Sequence, residues 1–317
     1  MRCDDARTLI TGATGFVGSA LMARLKAEGL LPLGTTRGTS LDEGCVSAPP
    51  LEAGGDWSGL LTGVGTVVHT AARVHVMRDT SSSPLDAFRA VNVTGSLDLA
   101  RQAASAGVRR FVFLSSVKVN GEETRHAKPF AAGDDPAPGD AYGTSKAEAE
   151  AGLKTIATET GMEFVIIRPP LVYGPGVKGN FAAMMRAIGR GLPLPFGAVT
   201  DNRRSLVGLD NLVDLIVTCI NHPAAANQTF MVSDGEDLST ADLLTRLGAT
   251  MGKPARLLKI PPALLGAAAA MIGKRAVAQR LLGNLQVDIS HTCRTLGWKP
   301  PISVDEGLRR AVQGAMR

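Results

Sequence analysis

Cysteine is sparse and unpaired in this chain of 317 residues. Cys3, Cys45, Cys219 and Cys293 form no Cys-x-x-Cys pair, which argues against a zinc ribbon and a disulfide framework and points to a reducing, cytoplasmic setting. The histidines, His69, His75, His126, His222 and His291, lack the spacing of metal ligands, so no metal is expected. Aromatic residues make up only 4%, and the net charge of +5 is scattered rather than gathered in a block. Without stacking rings or a basic patch, a nucleic-acid surface is not expected. No apolar stretch opens the chain (MRCDDARTLI), so no secretory leader is expected. The most apolar run, residues 263–273, follows Pro261-Pro262 and is far shorter than the roughly 20 residues that span a bilayer. A buried helix is expected there.

What the chain does have is the balance of a globular protein, 44% hydrophobic and 20% charged. With 36 glycines and few rings, the core must be built from Ala, Val, Leu and Ile, which suits close helix-on-sheet packing. The length exceeds what one core usually holds, so a large domain with an appended lobe is expected. Strands are predicted at 8–11, 31–36, 66–70, 110–115 and 163–168, and helices at 16–27, 83–106 and 142–160. Continuous apolar strands alternating with helices indicate an α/β fold, a doubly wound parallel sheet covered on both faces. After Pro169 the pattern is less regular and richer in loop signals such as GPGVKGN and SDGEDLST.

The first strand runs into Gly12-Ala13-Thr14-Gly15-Phe16-Val17-Gly18. Gly12 permits a tight turn, Gly15 lets backbone approach a pyrophosphate, and Gly18 lets helix pack on strand. The helix that follows would offer its N-terminal N–H groups to the phosphates. A glycine pattern between a strand and a helix is a dinucleotide fingerprint of the Rossmann type. Residues 1–168 are therefore read as the dinucleotide-binding domain with the catalytic residues. Residues 169–317 are read as a mainly substrate-binding lobe, some of whose segments return to the main sheet. The second strand ends in Thr36-Arg37 with no acid. Arg37 there favours the 2′-phosphate of NADP(H) over the free ribose of NAD(H), unless it only stacks on adenine or is solvated. Asp56-Trp57 falls where the next crossover meets the adenine, although Trp57 could equally anchor the core.

Tyr142 and Lys146 are four residues apart, on one face of the predicted helix. A phenol titrates near 10 and is a poor base at neutrality, whereas a nearby ammonium stabilises its anion. The strand ending at Leu114 delivers Ser115 and Ser116 to the carboxyl edge of the sheet, where doubly wound folds place their sites. Ser116 is assigned the substrate oxygen, and Ser115 is read as a strand-end polar residue.

At these residues the chain resembles the extended short-chain dehydrogenase/reductase family, the nucleotide-sugar epimerases, dehydratases and reductases. The resemblance runs through TGATGFVG, HTAA, VNVTG, SSVKVNG, YGTSK, RPPLVYGPG and LGWKP, nearly the whole chain. It implies catalysis by Ser116, Tyr142 and Lys146, with Lys146 also bonding the nicotinamide ribose. It implies that Ala71 and Ala72 line the dinucleotide, that Asn92 braces the catalytic helix beside it, and that Pro169 and Val172 lie near the nicotinamide. Lys118, Asn180 and Arg204 would meet the substrate, the last two at its diphosphate. A surface role remains open for Arg204, because adjacent Arg203 leaves the register ambiguous.

Departures from the family narrow the chemistry. Dehydratases carry Asp-Glu after the catalytic hydroxyl; here Val117-Lys118 stands in that place, so dehydration is not expected. Further likeness to an O-antigen subgroup implies NADPH-dependent reduction of a UDP-4-keto-6-deoxy-N-acetylhexosamine in polysaccharide precursor synthesis. UDP-glucose 4-epimerase activity is the alternative, and a non-catalytic NADP(H) sensor a third reading. The expected partner is a UDP-sugar, with homodimerisation left open.

Overall fold

The computed structural model describes residues 7–38, 44–74 and 83–315; Cys3 and His75 lie outside them. The strands, in chain order, are β1 (Arg7–Thr11), β2 (Leu33–Thr36), β3 (Cys45–Ser47), β4 (Val64–His69), β5 (Arg110–Leu114), β6 (Glu163–Arg168), β7 (Leu171–Tyr173), β8 (Arg204–Gly208), β9 (Gln228–Met231) and β10 (Asp237–Leu238). The helices are α1 (Phe16–Ala27), α2 (Ser58–Leu61), α3 (Pro84–Arg89), α4 (Ser96–Ser105), α5 (Ala141–Thr160), α6 (Gly179–Gly189), α7 (Leu209–Asn221), α8 (Thr240–Thr250), α9 (Pro262–Met271), α10 (Arg275–Leu282), α11 (Ser290–Leu296) and α12 (Val304–Ala315).

Seven strands form one parallel sheet in the order β3-β2-β1-β4-β5-β6-β9. The two-residue period of a strand sends alternate side chains to opposite faces, and this sorts the sheet into two cores. Ile10, Val68, Val112 and Val165 face one core with α1 and α7. Leu9, Val67, Phe111 and Ile166 face the other with α4 and α5. Burial on both faces is why these strands read as unbroken apolar runs rather than alternating ones. The chain moves outward from β1 to β3, then returns to β4 on the other side of β1. A crevice therefore opens at the carboxyl ends of β1 and β4, where such sheets bind their ligands.

From the second half, β9 joins the large sheet, while β7, β8 and β10 form a second one. A third core lies there, between that sheet and helices α6, α8 and α12.

Two expectations about helices need correction. Residues 83–106 are not one regular helix: a π-helical stretch, Ala90–Gly95, separates α3 from α4. It brings Asn92 inward, 1% exposed. The apolar run at 263–273 does form a helix, α9, but none of its residues is buried, and Leu264 and Met271 are 62% and 82% exposed. The third core is already closed by other helices, and among the described residues α9 packs chiefly on α10.

Candidate active site

Gly12 turns the chain out of β1 at φ +70°, and a Cβ on it would stand 2.9 Å from the Ala71 nitrogen. Loop and β4 terminus thus approach closer than any side chain permits. Gly18 lies in the first turn of α1, where a Cβ would stand 2.2 Å from the Gly12 carbonyl oxygen. The helix N-terminus is drawn against the loop, with Gly15 preceding it in extended conformation, no capping side chain and no acid in the first turn. Open N–H groups beside Phe16, Val17 and Gly18, a positive helix end and an exposed Thr14 fit a pyrophosphate. Gly18→Ala should lower dinucleotide affinity by about tenfold or more, because the methyl group must push loop and helix apart. Fluorescence titration with the dinucleotide checks this; wild-type affinity would show that the helix end does not hold the phosphates.

At the far end of the crevice, Arg37 is exposed just beyond β2. Asp56 accepts from the Ser58 N–H at 2.9 Å and is exposed. Trp57 is 2% exposed within the second core, and its backbone N–H donates to Gln102 Oε1 at 2.7 Å. Its indole therefore anchors the core, which corrects the placement of this side chain against an adenine. Ala71 and Ala72 are half-buried just past β4.

Helix α5 carries Tyr142 and Lys146. Asp140 caps it, accepting from the Gly143 N–H at 2.7 Å, and Gly161 ends it at φ +77°. Asn92 holds the helix from behind: its amide donates to Ser145 Oγ at 3.0 Å and to the Arg73 carbonyl at 3.1 Å. Lys146 is 2% exposed; its Nζ donates to the Leu114 carbonyl at 2.8 Å and lies 4.2 Å from the Phe113 ring centre. It thereby ties the helix to the end of β5, two residues before Ser116. Ser116 is half-buried, and its hydroxyl accepts from the Lys118 N–H at 3.2 Å. Pro169 is buried beside it, accepting from the Val117 N–H at 3.0 Å, and Val172 packs on the first core. The Tyr142 ring meets Phe88 edge-on at 6.0 Å.

Burial, and then the Asp140 carboxylate, push the Tyr142 phenol above its ordinary value. Burial pulls Lys146 down to about 7, against the Glu150 carboxylate. In the unfolded chain this lysine titrates near 10.5. Between those values the unfolded chain keeps a proton that the folded one releases. The group's contribution to stability therefore rises with pH across that window and is least favourable below it. The melting midpoint of Lys146→Met minus that of wild type, without ligand, should fall as pH rises from about 7 to about 10. A constant difference would mean that the ammonium is not desolvated.

Lys118 does not point freely to a substrate: its Nζ donates to Glu122 Oε1 at 2.7 Å and also to Asp140. Asn180 and Arg204 line one small cavity of about 100 Å³ with Leu171, Met184 and Arg280. The register is resolved, since Arg203 spends its guanidinium on the carbonyls of Thr200 and Asn202. Arg204 Nη1 donates to the Gly283 carbonyl at 3.1 Å. Burial pulls Arg204 down to about 10, opposed by Glu123 and reinforced by Arg280, so it remains a cation. Two guanidinium groups beside an amide suit a diphosphate. Arg280 was not legible in the sequence, because it reaches the cavity from a helix 76 positions downstream of Arg204.

A buried polar cluster behind α5 was also missed. Glu150 accepts from Arg168 Nε at 3.0 Å, from Arg168 Nη2 at 2.5 Å and from the Ser115 hydroxyl, while Arg168 Nη1 donates to Asn120 Oδ1 at 3.0 Å. The signal available was an arginine closing an otherwise apolar strand, EFVIIR. His69 is fully buried between Thr11 and Ser96, and burial drives it down to about 3, so it is a neutral structural bridge.

A dinucleotide crevice leading to Ser116, Tyr142 and Lys146 defines an enzyme of the extended short-chain dehydrogenase/reductase class. The model of the NAD dependent epimerase/dehydratase family matches residues 8–233, and the chain belongs to that family. A UDP-glucose 4-epimerase of Vibrio cholerae is 47% identical over 98% of this chain and 95% of its own length. Another, from Mycolicibacterium smegmatis, is 30% identical over 97% of each chain. The crystal structure of a UDP-glucose 4-epimerase from Thermotoga maritima with UDP-glucose superposes with a TM-score of 0.80 over 98% of each chain; at 23% identity it speaks for the fold. A nicotinamide dinucleotide is the cofactor this family uses, and the crevice fits it.

Proposed function

We propose that this chain is a nucleotide-sugar 4-epimerase acting on a UDP-hexose. The observation that carries the reading is the near full-length likeness to the Vibrio cholerae enzyme at 47% identity. This reverses the order in which the sequence placed epimerisation and net reduction. A bound nicotinamide dinucleotide supplies the hydride acceptor and donor. Tyr142 takes the proton of the sugar's C4 hydroxyl and gives it back to the epimeric product. Lys146 supports the phenolate by its charge once the cleft is filled, and Ser116 holds the same sugar oxygen, so that stabilisation grows as charge develops there. Asn180, Arg204 and Arg280 hold the diphosphate, leaving the sugar to turn between the two half-reactions.

Net reduction of a 4-keto nucleotide sugar is the second reading, favoured by Arg37 at the ribose end of the crevice and by Val117-Lys118 in place of an acid pair. Supplying UDP-glucose with catalytic NAD, and separately UDP-4-keto-6-deoxy-N-acetylglucosamine with NADPH, separates the two. Interconversion of UDP-glucose and UDP-galactose without net cofactor change supports epimerisation. Stoichiometric NADPH oxidation by the keto sugar, with UDP-glucose inert, replaces it by reduction. On either reading Arg37→Asp should shift the affinity ratio toward the non-phosphorylated dinucleotide by about tenfold, through repulsion of the 2′-phosphate. An unchanged ratio in paired titrations would remove Arg37 from the ribose.

A further inference from the structure

Residues 252–287 contain Lys253, Arg256, Lys259, Lys274, Arg275 and Arg280 and no Asp or Glu. Their six positive charges exceed the net +5 of the whole chain, so the rest of the molecule is slightly acidic. All six side chains are exposed. Among the described residues none of them forms an ion pair. The same segment holds the helical hairpin α9–α10, which carries the most exposed large apolar side chains among the described residues of the lobe. Leu264, Ala268, Met271 and Ile272 recur at i, i+4, i+7 and i+8, one stripe along α9. Leu264, Met271 and Ile272 are 62%, 82% and 66% exposed, and Leu258 just before the hairpin is 49% exposed. Single exposed apolar residues are ordinary, whereas a continuous stripe marks a surface that is covered in use.

From this juxtaposition we infer that the α9–α10 hairpin is a peripheral docking surface for an anionic lipid bilayer. The apolar stripe enters the boundary between headgroups and acyl chains, and the cations flanking it pair with lipid phosphates. At ten residues, α9 is too short to cross a bilayer, so the hairpin lies on the surface. The charge pattern selects lipid over a second copy of this chain, because apposing two such hairpins would bring six like charges together, twice the three (Lys274, Arg275 and Arg280) of one hairpin. Docking has a geometric consequence for the cleft. Arg280 and Leu281 of α10 line the cavity that holds Asn180 and Arg204, so a docked hairpin sets the mouth of that cavity beside the headgroups. The inference rests on charge and exposure and is independent of which sugar reaction the enzyme performs.

Flotation of the purified full chain with vesicles tests it. One set is phosphatidylcholine alone; the other carries about a quarter phosphatidylglycerol. The protein should float with the anionic vesicles only, and raised salt should release it. Lys274→Glu/Arg275→Glu should lower that binding by about tenfold or more, and Leu264→Asp/Met271→Asp should do the same. Both variants should keep the wild-type melting midpoint and turnover on a water-soluble nucleotide sugar, which separates lost docking from lost folding. Equal binding to both vesicle types, binding to neither, or wild-type flotation by either variant overturns the proposal. So does a wild-type dimer that Leu264→Asp/Met271→Asp splits, which would assign the face to a second copy.

Discussion

Tyr142→Phe lowers turnover by about 10²–10⁴-fold while leaving dinucleotide affinity nearly unchanged. The phenol stands in the first turn of α5, and phenylalanine keeps its shape and its edge contact with Phe88. The substitution removes the transferable proton. Burial raises the phenol, with Asp140 adding to it, and burial lowers the Lys146 ammonium to about 7. Positive charge brought beside the phenol favours the phenolate. Lys146→Met, by contrast, should weaken both turnover and dinucleotide affinity. Steady-state kinetics with a parallel binding titration separates the two patterns. Wild-type turnover in Tyr142→Phe would remove this residue from the chemistry.

Glu150→Ala destabilises the protein by about 3–5 kcal/mol, because it strands a buried cation. Arg168 and Glu150 have side chains only 2% and 3% exposed. With the carboxylate gone, the guanidinium keeps, among the described residues, only Asn120 Oδ1 and the more distant Ala132 carbonyl as partners. The Ser115 hydroxyl loses its acceptor as well. Removing both charges is a different perturbation: Glu150→Ala/Arg168→Met should recover most of the loss, since an apolar replacement of a buried pair is often near neutral. Urea denaturation of the single and double variants measures the difference. A double variant as unstable as the single would show that packing, not the uncompensated charge, sets the cost.

Much of the site was legible without a structure, and for one reason. The glycine turn after β1, the start of α1 and the four-residue offset between Tyr142 and Lys146 are governed by dihedral angles and helical pitch, which act over a few residues. The alternation of apolar strands and helices is equally local in origin. Together these determined an α/β sheet with a dinucleotide crevice at one edge and a Tyr–Lys pair on the helix that follows β5.

Tertiary structure decided what depends on distant neighbours. Whether Trp57 faces adenine or core turned on α4 and the sheet behind it, and whether residues 263–273 are buried turned on a lobe already closed by other helices. Lys146 finds the Leu114 carbonyl, Glu150 finds Arg168, and Arg204 meets Arg280 only because strands and helices far apart in the chain converge. Burial and its pKa consequences are properties of that convergence: a charge's cost is set by the groups surrounding it in space, and no periodicity along the chain encodes them.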